Sequence, residues 1–420
     1  CERVPESIPE GISIFRVSSS SRALGLAANA FFDDPSSKLK VVGVTGTNGK
    51  TTTATLLYHL FRSFGLSCGL LSTIRNLVND REISSTHTTG DALQITRLMA
   101  EMVTSGCTHC FMEVTSHAID QNRIAGIVFD VAIFTNITQD HLDYHGTIEV
   151  YRDVKKRFFD DLPQSAVAIY NEDDVAGSYM VRDSRARKVS FGKGQGAQYQ
   201  FSVERSDTSG MKIDLLNHSF DVQLVGDFNA YNMVGCLAAA ESLGMPLSKS
   251  LPHASNLAPV SGRMEKVEST STLIGIVDFA HTPDAVEKVL LSVSEIERPV
   301  GGIVAVIGCG GDRDRDKRPQ MAEVAHRLSD VLIITSDNPR SEEPLAIIRE
   351  MLDGISQEPD ERRLFVVEDR EQAIIKACSV APEGAVVLVM GKGHEKFQLV
   401  GDVKYPFDDV EVLRKALSTR

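Results

Sequence analysis

Apolar residues along the chain recur in two rhythms, short β-branched runs and longer stretches with helical spacing, and the two alternate. The run Val41-Val42-Gly43-Val44 breaks into the turn Thr45-Gly46-Thr47-Asn48-Gly49. A helical pattern follows, with Leu56, Leu57, Leu60, Phe61 and Phe64 on one face until Gly65 ends it. Cys110-Phe111-Met112-Glu113-Val114 and Val131 to Phe134 read as strands. Tyr151, Val154, Phe158, Phe159 and Leu162 make the apolar stripe of a helix after Thr147. This alternation continues to about residue 261 and predicts a parallel sheet with crossover helices. Inside it, the more polar section 187–223, with Gly192, Gly194 and Gly196, predicts a small antiparallel insert. Residues 262–420 repeat the alternation independently, with strands expected at 273–278, 302–307, 331–335, 364–367 and 385–390. Helices are expected after Thr282-Pro283, Arg318-Pro319, Glu343-Pro344 and Asp369. Residues 1–40 hold one expected helix, around Ser21 to Phe32, too little to bury a core.

Composition narrows the class. A chain of 420 residues exceeds one ordinary core. With 42% hydrophobic and 24% charged residues and no apolar run long enough for a bilayer, no membrane insertion is expected. A net charge of −13 argues against nucleic acid or an acidic membrane surface as a partner. The seven scattered cysteines fit a reduced, cytosolic chain. Cys107-Thr108-His109-Cys110 lacks the second pair of a zinc site, so packing cysteines are expected.

The turn at 46–51 carries chemistry. A strand, a glycine turn and a helix N-terminus make an anion cradle, in which free backbone N–H groups face phosphates. Lys50 adds a charge, and the Thr51 hydroxyl can hold Mg²⁺. The usual spacing asks for glycine at position 44, which is valine. Further polar clusters fall where strands end, the place where open α/β sheets bind ligands. They are Asp278 to Asp284, Gly308 to Arg318, Asp337 to Arg340, and Gly391 to Glu395. Glu113 ends a strand and suits Mg²⁺, directly or through water. Asp140-His141-Leu142-Asp143-Tyr144-His145-Gly146 has two histidines and two aspartates for a metal or a water. Lys155 lies on the edge of its helix's stripe, one turn from Tyr151 and Phe159, while Lys156 and Arg157 point elsewhere. Periodicity alone favours snorkelling there, yet an amine near apolar surface can add CO₂ and become an anionic carbamate.

Together, Gly46-Thr47-Asn48-Gly49-Lys50-Thr51, Thr88-Thr89-Gly90, Met112 to His117, Asp140 to Gly146 and Gly262-Arg263-Met264-Glu265 resemble the Mur ligases. So do Ala280-His281-Thr282-Pro283-Asp284, Gly310 to Asp314, Asp337-Asn338-Pro339-Arg340 and Gly391-Lys392-Gly393-His394-Glu395. Within the family these motifs are those of the members that add the third peptide residue in peptidoglycan synthesis, and they run in order from residue 22 onward. The resemblance implies an α/β chain with a central P-loop ATPase-type parallel-sheet domain at 41–261 and a Rossmann-like, amino-acid-binding domain at 262–420. Residues 1–40 would be the remnant of an N-terminal UDP-binding domain, so this chain is expected to keep ATP binding but to bind the UDP-linked substrate poorly.

The implied reaction joins meso-diaminopimelate to UDP-N-acetylmuramoyl-L-alanyl-D-glutamate through an acyl phosphate, with ATP as co-substrate and two Mg²⁺ ions, in a monomer of the bacterial cytoplasm. Gly46, Thr47, Asn48, Gly49, Lys50, Thr51 and Thr52 would hold the ATP phosphates. Asn229 and Asn232 would face the adenosine, Asp278 the ribose and Arg263 the phosphates, with His281 beside them. Thr51 and Glu113 would hold one Mg²⁺, and His141 with a carbamylated Lys155 the other; Lys50, Glu113, His141 and Lys155 are the catalytic set. Thr88, Thr89, Ser116, Gln121 and Arg123 would grip the sugar-peptide. Arg313, Asp337, Asn338, Pro339, Arg340, Gly391 and Glu395 would bind the amino acid, with Arg340 at a helix N-terminus taking its distal carboxylate and Glu395 its ammonium. Three positions depart from the family pattern: Phe279 replaces tyrosine, Thr115 replaces serine and Asp316 replaces glycine.

Other readings explain less. A P-loop kinase or switch shares the first motif and leaves four polar loops of the second domain unexplained. Folylpolyglutamate synthetase, a relative, also makes amide bonds, but Asp337-Asn338-Pro339-Arg340 argues against it. A non-catalytic nucleotide-binding protein would tolerate loss of Glu113, His141 or Lys155, and all three are present.

Overall fold

Val41, Val42 and Val44 have no exposed surface, and their burial on both faces makes β1 (Lys40–Thr45) a central strand. The computed structural model describes residues 1–4, 11–83, 89–269, 271–296, 300–355 and 362–419. They form two compact units: 1–137, 149–200 and 231–254 in the first, and 138–148, 201–230 and 255–420 in the second.

In the first unit β1 is followed by β2 (Cys68–Leu71), β3 (Asn76–Val78), β4 (Arg81–Ile83), β5 (His109–Glu113), β6 (Val131–Phe134), β7 (Val167–Asn171) and β8 (Arg187–Gly192). Their order is β8-β7-β6-β1-β5-β2-β3-β4, parallel except for the β2–β3–β4 edge. The chain builds outward from β1 on one side through β2 and β5, then crosses to β6, β7 and β8 on the other. That reversal makes β1 the switch point, where the crevice beyond the strand ends opens. Alternation along β5 sorts its side chains: Phe111 packs, tilted, against Phe61 of the helix Lys50–Ser63, ring centres 5.0 Å apart. Cys110 and Met112 join the opposite core with Phe158 and Phe159 of the helix Ile148–Asp160. Each such buried aromatic contributes about 1.5–3 kcal/mol. Cys107 and Cys110 are buried free thiols, and burial pushes both thiols up.

The section 187–223 is only partly the antiparallel insert its polarity predicted. β8 pairs parallel with β7 and completes the first unit's sheet. The antiparallel meander is β9 (Tyr199–Asp207), β10 (Gly210–Leu215) and β11 (His218–Val222).

The second unit's main sheet uses β12 (Glu265–Val267), β13 (Ile274–Asp278), β14 (Ile303–Ile307), β15 (Val331–Ile334), β16 (Leu364–Val366) and β17 (Val386–Met390). The order is β12-β13-β17-β14-β15-β16, all parallel but β12. Five strands thus lie within a residue or two of expectation. Ile276, Ala305 and Leu388 face one core, and Val277, Val304 and Val387 the other. Helices start at Pro283 and Pro344, where the Pro signals put them; the third starts at Lys317, two residues before Pro319, and Asp369 caps the helix Arg370–Val380 by accepting from the Gln372 N–H. β14 leads to β15 on one side and the later β17 lies on the other, so the switch point falls between β14 and β17. A hairpin, β18 (Phe397–Val400) and β19 (Val403–Pro406), follows. No described helix is long and apolar enough to cross a membrane.

Candidate functional site

At the first unit's switch point, β1 gives way to the glycine turn and then to the helix Lys50–Ser63. Val44 belongs to the strand, so the turn proper begins later than the usual spacing implies. Neighbouring strand ends hold the turn: Thr135 Oγ1 donates to Asn48 O (2.6 Å), and Asn48 N–H donates to Asn136 Oδ1 (3.0 Å). Thr47 N–H donates to Asn136 O (2.8 Å). At Gly46, with φ +152°, a Cβ would sit 1.9 Å from Thr135 Oγ1, so the close approach needs glycine.

The Gly46 carbonyl accepts from two ammonium groups, Lys50 Nζ at 2.9 Å and Lys155 Nζ at 2.8 Å. Lys50 also donates to Thr47 O (2.6 Å). Two lysine side chains on one carbonyl, at the N-terminal end of a helix dipole, give this turn a positive character that favours an anion. Lys155 therefore does not snorkel. It is 1% exposed, 4.5 Å from the Tyr151 ring centre, because the turn arrives from 109 residues away and covers it. Lys156, expected to point away, is also buried; Asp160 and Asp183 pair with it at 2.6 and 2.7 Å. Arg157 is exposed, as expected.

Glu113 ends β5 beside the turn, 1% exposed, and accepts from Thr73 N–H (2.7 Å) and Thr73 Oγ1 (3.2 Å). Thr51 and Thr52 are buried in the first turn of the helix. The Thr51 hydroxyl and the Glu113 carboxylate are hard oxygen donors, the kind Mg²⁺ takes. As an ammonium donating to Gly46 O, Lys155 has no lone pair for a metal, whereas a carbamate on it would supply oxygen donors. Thr89 and Arg123 gather at the same strand end: Thr89 Oγ1 donates to Glu113 O (2.9 Å) and Arg123 Nη1 to Thr89 O (2.9 Å). Arg123 Nη2 holds Gln121 Oε1 at 2.6 Å. Ser116 is buried in the first turn of a short helix capped by Thr115, whose hydroxyl accepts from Ala118 N–H (3.2 Å) as serine would. Thr88 lies outside the described residues. Asn232 Oδ1 accepts from Thr53 Oγ1 at 3.3 Å.

In the second unit, His141 sits at φ +54°, its N–H on Asp140 Oδ1 (2.9 Å) and its Nε2 3.4 Å from Asp140 Oδ2. Asn229 is buried with Nδ2 on Val225 O (2.8 Å). Asp278 accepts from the Met264 and Ala280 N–H groups, each at 2.7 Å, and burial raises its carboxyl. Arg263 lies over the Phe279 ring at 4.5 Å, so the phenylalanine supplies a face that needs no hydroxyl. His281 Nδ1 donates to Phe279 O (2.8 Å), and burial pushes the ring down to about 4.

The switch point between β14 and β17 collects the remaining cluster. Arg340, at φ +53°, donates through Nη1 to Gly311 O (2.7 Å). A Cβ on Gly311 would meet Pro339 O at 1.9 Å, so these two loops interlock only around glycine. Burial and the Arg313 guanidinium pull Arg340 below the usual arginine value. Arg313 donates to Asp312 O (2.8 Å). Asn338 Nδ2 donates to Glu395 Oε2 (2.7 Å), and Asp337 lies beside Gly391, which follows β17. Asp316 adopts φ −64°, a conformation open to any residue, so replacing glycine there costs nothing.

Arg340 is not at a helix N-terminus. The helix Pro344–Leu352 starts later, and its cap Glu343 already accepts from the Leu345 and Ala346 N–H groups. Sequence reading also missed a brace of buried charges. Arg318 donates to Glu342 (2.7 and 2.9 Å) and Glu350 (2.7 Å), and Glu342 accepts from Asp312 N–H (2.6 Å), tying the 310–318 loop to the 339–342 loop. Arg318's hydrogen bonds hold the Glu342 carboxyl well below its usual range. Its one signal was an arginine at a helix start facing no acid in its own turn.

A phosphate cradle at one switch point and a guanidinium–acid site at another define a nucleotide-using α/β enzyme that also handles a charged small molecule. The Mur ligase middle domain matches residues 44–240, and the Mur ligase glutamate ligase domain residues 262–393. The chain is similar to UDP-N-acetylmuramoyl-L-alanyl-D-glutamate–2,6-diaminopimelate ligases of Cytophaga hutchinsonii (45% identical, spanning 100% of this chain and 86% of that one) and Geobacillus kaustophilus (40%, 97% and 85%). A solved ligase of that description is 32% identical, with TM-score 0.66 over 98% of this chain and 85% of that one. Mycobacterium tuberculosis folylpolyglutamate synthase shares the fold alone, at 16% identity and TM-score 0.71 over 89% and 92%. The chain belongs to the Mur ligase family, whose members are ATP-dependent ligases.

Proposed function

We propose that this chain adds meso-diaminopimelate to UDP-N-acetylmuramoyl-L-alanyl-D-glutamate at the expense of ATP, in peptidoglycan precursor synthesis. The observation that carries the choice of amino acid is Arg340. Its guanidinium is half buried and faces a carbonyl, Gly311 O, with no salt-bridge partner among the described residues. Glu342 and Glu343, the obvious surface partners, are occupied by Arg318, Arg315 and Arg349. A cation held in that state calls for an anion, and diaminopimelate differs from lysine by one distal carboxylate.

The roles follow from chemistry. Residues 46–52 bind the ATP phosphates, with Lys50 beside the transferred group. A substrate carboxylate oxygen attacks the γ-phosphorus and ADP leaves; the amino acid's amine then attacks the acyl carbon, loses a proton and expels phosphate. Mg²⁺ on Thr51 and Glu113, and a second ion on His141 and a Lys155 carbamate, would offset the repulsion between carboxylate and γ-phosphate. Asn229, Asn232, Arg263, Asp278 and His281 hold the nucleotide's other end, and Thr88, Thr89, Ser116, Gln121 and Arg123 the sugar-peptide. Arg313, Asp337, Asn338, Pro339, Arg340, Gly391 and Glu395 receive the amino acid. On this reading 41–261 is the ATP-binding domain, 262–420 the amino-acid-binding domain and 1–40 part of the UDP-binding one. The enzyme is a monomer of the bacterial cytoplasm.

Phosphate release tests the proposal. It should require the UDP-linked dipeptide, the diamino acid and ATP together; release without the UDP substrate would refute it.

A further inference from the structure

Lys392 was not among the residues expected to bind substrate, yet it has no exposed side-chain surface and lies in the amino-acid cluster. Its Nζ donates to Asn338 Oδ1 and to Glu395 Oε2, each at 2.9 Å. The Leu399 N–H also donates to Asn338 Oδ1 (2.9 Å). An ammonium and a backbone N–H can only donate, so this side of the amide is its oxygen, and Nδ2 is obliged to face Glu395. Glu395 Oε2 then receives two donors, while Oε1 has no hydrogen-bond partner among the described residues. The Glu395 side chain is 22% exposed.

The neighbouring cation gives this arrangement its consequence. Glu395 and Arg340 already attract one another through space. A carboxylate on a flexible stem, released from its donors, would move toward that guanidinium and fill the place of an incoming anion. We infer that Lys392 is a positioning residue that holds Glu395 away from Arg340 and keeps two separate charges on offer. A zwitterionic terminus, ammonium beside carboxylate, meets its two complements only while they stay apart. This rests on the reading that the amino acid binds here.

Lys392→Met removes the charge and keeps most of the side chain's volume; Lys392→Gln removes the charge and keeps a donor. The full chain is assayed for phosphate release with meso-diaminopimelate, with circular dichroism and ATP affinity as checks. The expected result is a diaminopimelate KM raised about 10- to 100-fold in both variants, with kcat falling far less and ATP affinity unchanged. Lys392→Arg, restoring the charge, should recover part of the KM. An unchanged KM in folded variants would overturn the inference, and so would loss of the folded state in both, which would assign the ammonium to stability. If the unaltered protein does not use diaminopimelate at all, the substrate reading fails instead.

Discussion

Arg370 and Asp409 form an ion pair with no exposed side-chain surface, and cutting it should loosen the amino-acid site from behind. Arg370 Nε and Nη2 each meet an Asp409 oxygen at 2.8 Å, and Nη2 also donates to Met390 O at 2.9 Å. Met390 is the last residue of β17, immediately before Gly391. Asp409→Ala strips the buried guanidinium of its two 2.8 Å charge-assisted bonds and leaves it with carbonyls and, as its nearest remaining carboxylate, Asp337 at 4.0 Å. Breaking one partner of a buried pair costs about 3–5 kcal/mol. Because a chain of two units need not unfold in one step, hydrogen exchange read peptide by peptide is the suitable assay. Amides of residues 386–390 should exchange roughly 150- to 5,000-fold faster, that energy range at about 1.4 kcal/mol per factor of ten. Adding Arg370→Met should restore much of the protection, since no stranded charge remains. A change below about fivefold in Asp409→Ala would refute the claim that this pair braces the strand end.

Lys155→Ala should nearly abolish ligation and regain part of it with a small added carboxylic acid, measured as phosphate release; full activity without the acid would exclude the carbamate. Arg340→Ala should raise the diaminopimelate KM about 30- to 5,000-fold, matching a charge-assisted pair of about 2–5 kcal/mol, while use of L-lysine stays low or rises slightly. Burial depresses His281 to about 4 and His394 to about 3, so each stays neutral folded while the unfolded chain takes a proton below about 6.5. The unfolded state binds more protons in that window, so stability should fall as pH drops from about 6.5 towards 4, and an unfolding midpoint flat across it would contradict this.

The strands were legible because runs such as Ile303–Ile307 are apolar on both faces, a signal that survives without any partner in view. The phosphate turn was legible because its glycines and Lys50 are adjacent in sequence. Periodicity failed for Lys155, since nothing local reports that Gly46, far away in the chain, will cover it. It failed likewise for Lys392, Arg318 and Arg370, whose polarity reads as surface and each of which has a side-chain partner 24 to 54 residues away. The misplaced helix start at Arg340 has a different cause: Asp337-Asn338-Pro339 looks like a cap, but Glu343-Pro344 is the one used.

The central claim is the identity of the bond made, and a competition assay reads it directly. The protein, ATP, Mg²⁺ and UDP-N-acetylmuramoyl-L-alanyl-D-glutamate are incubated with equimolar meso-diaminopimelate and L-lysine, and the UDP-linked products are weighed by mass spectrometry. The account predicts almost exclusively the product extended by diaminopimelate. Comparable amounts of the lysine product, or none of either, would contradict it.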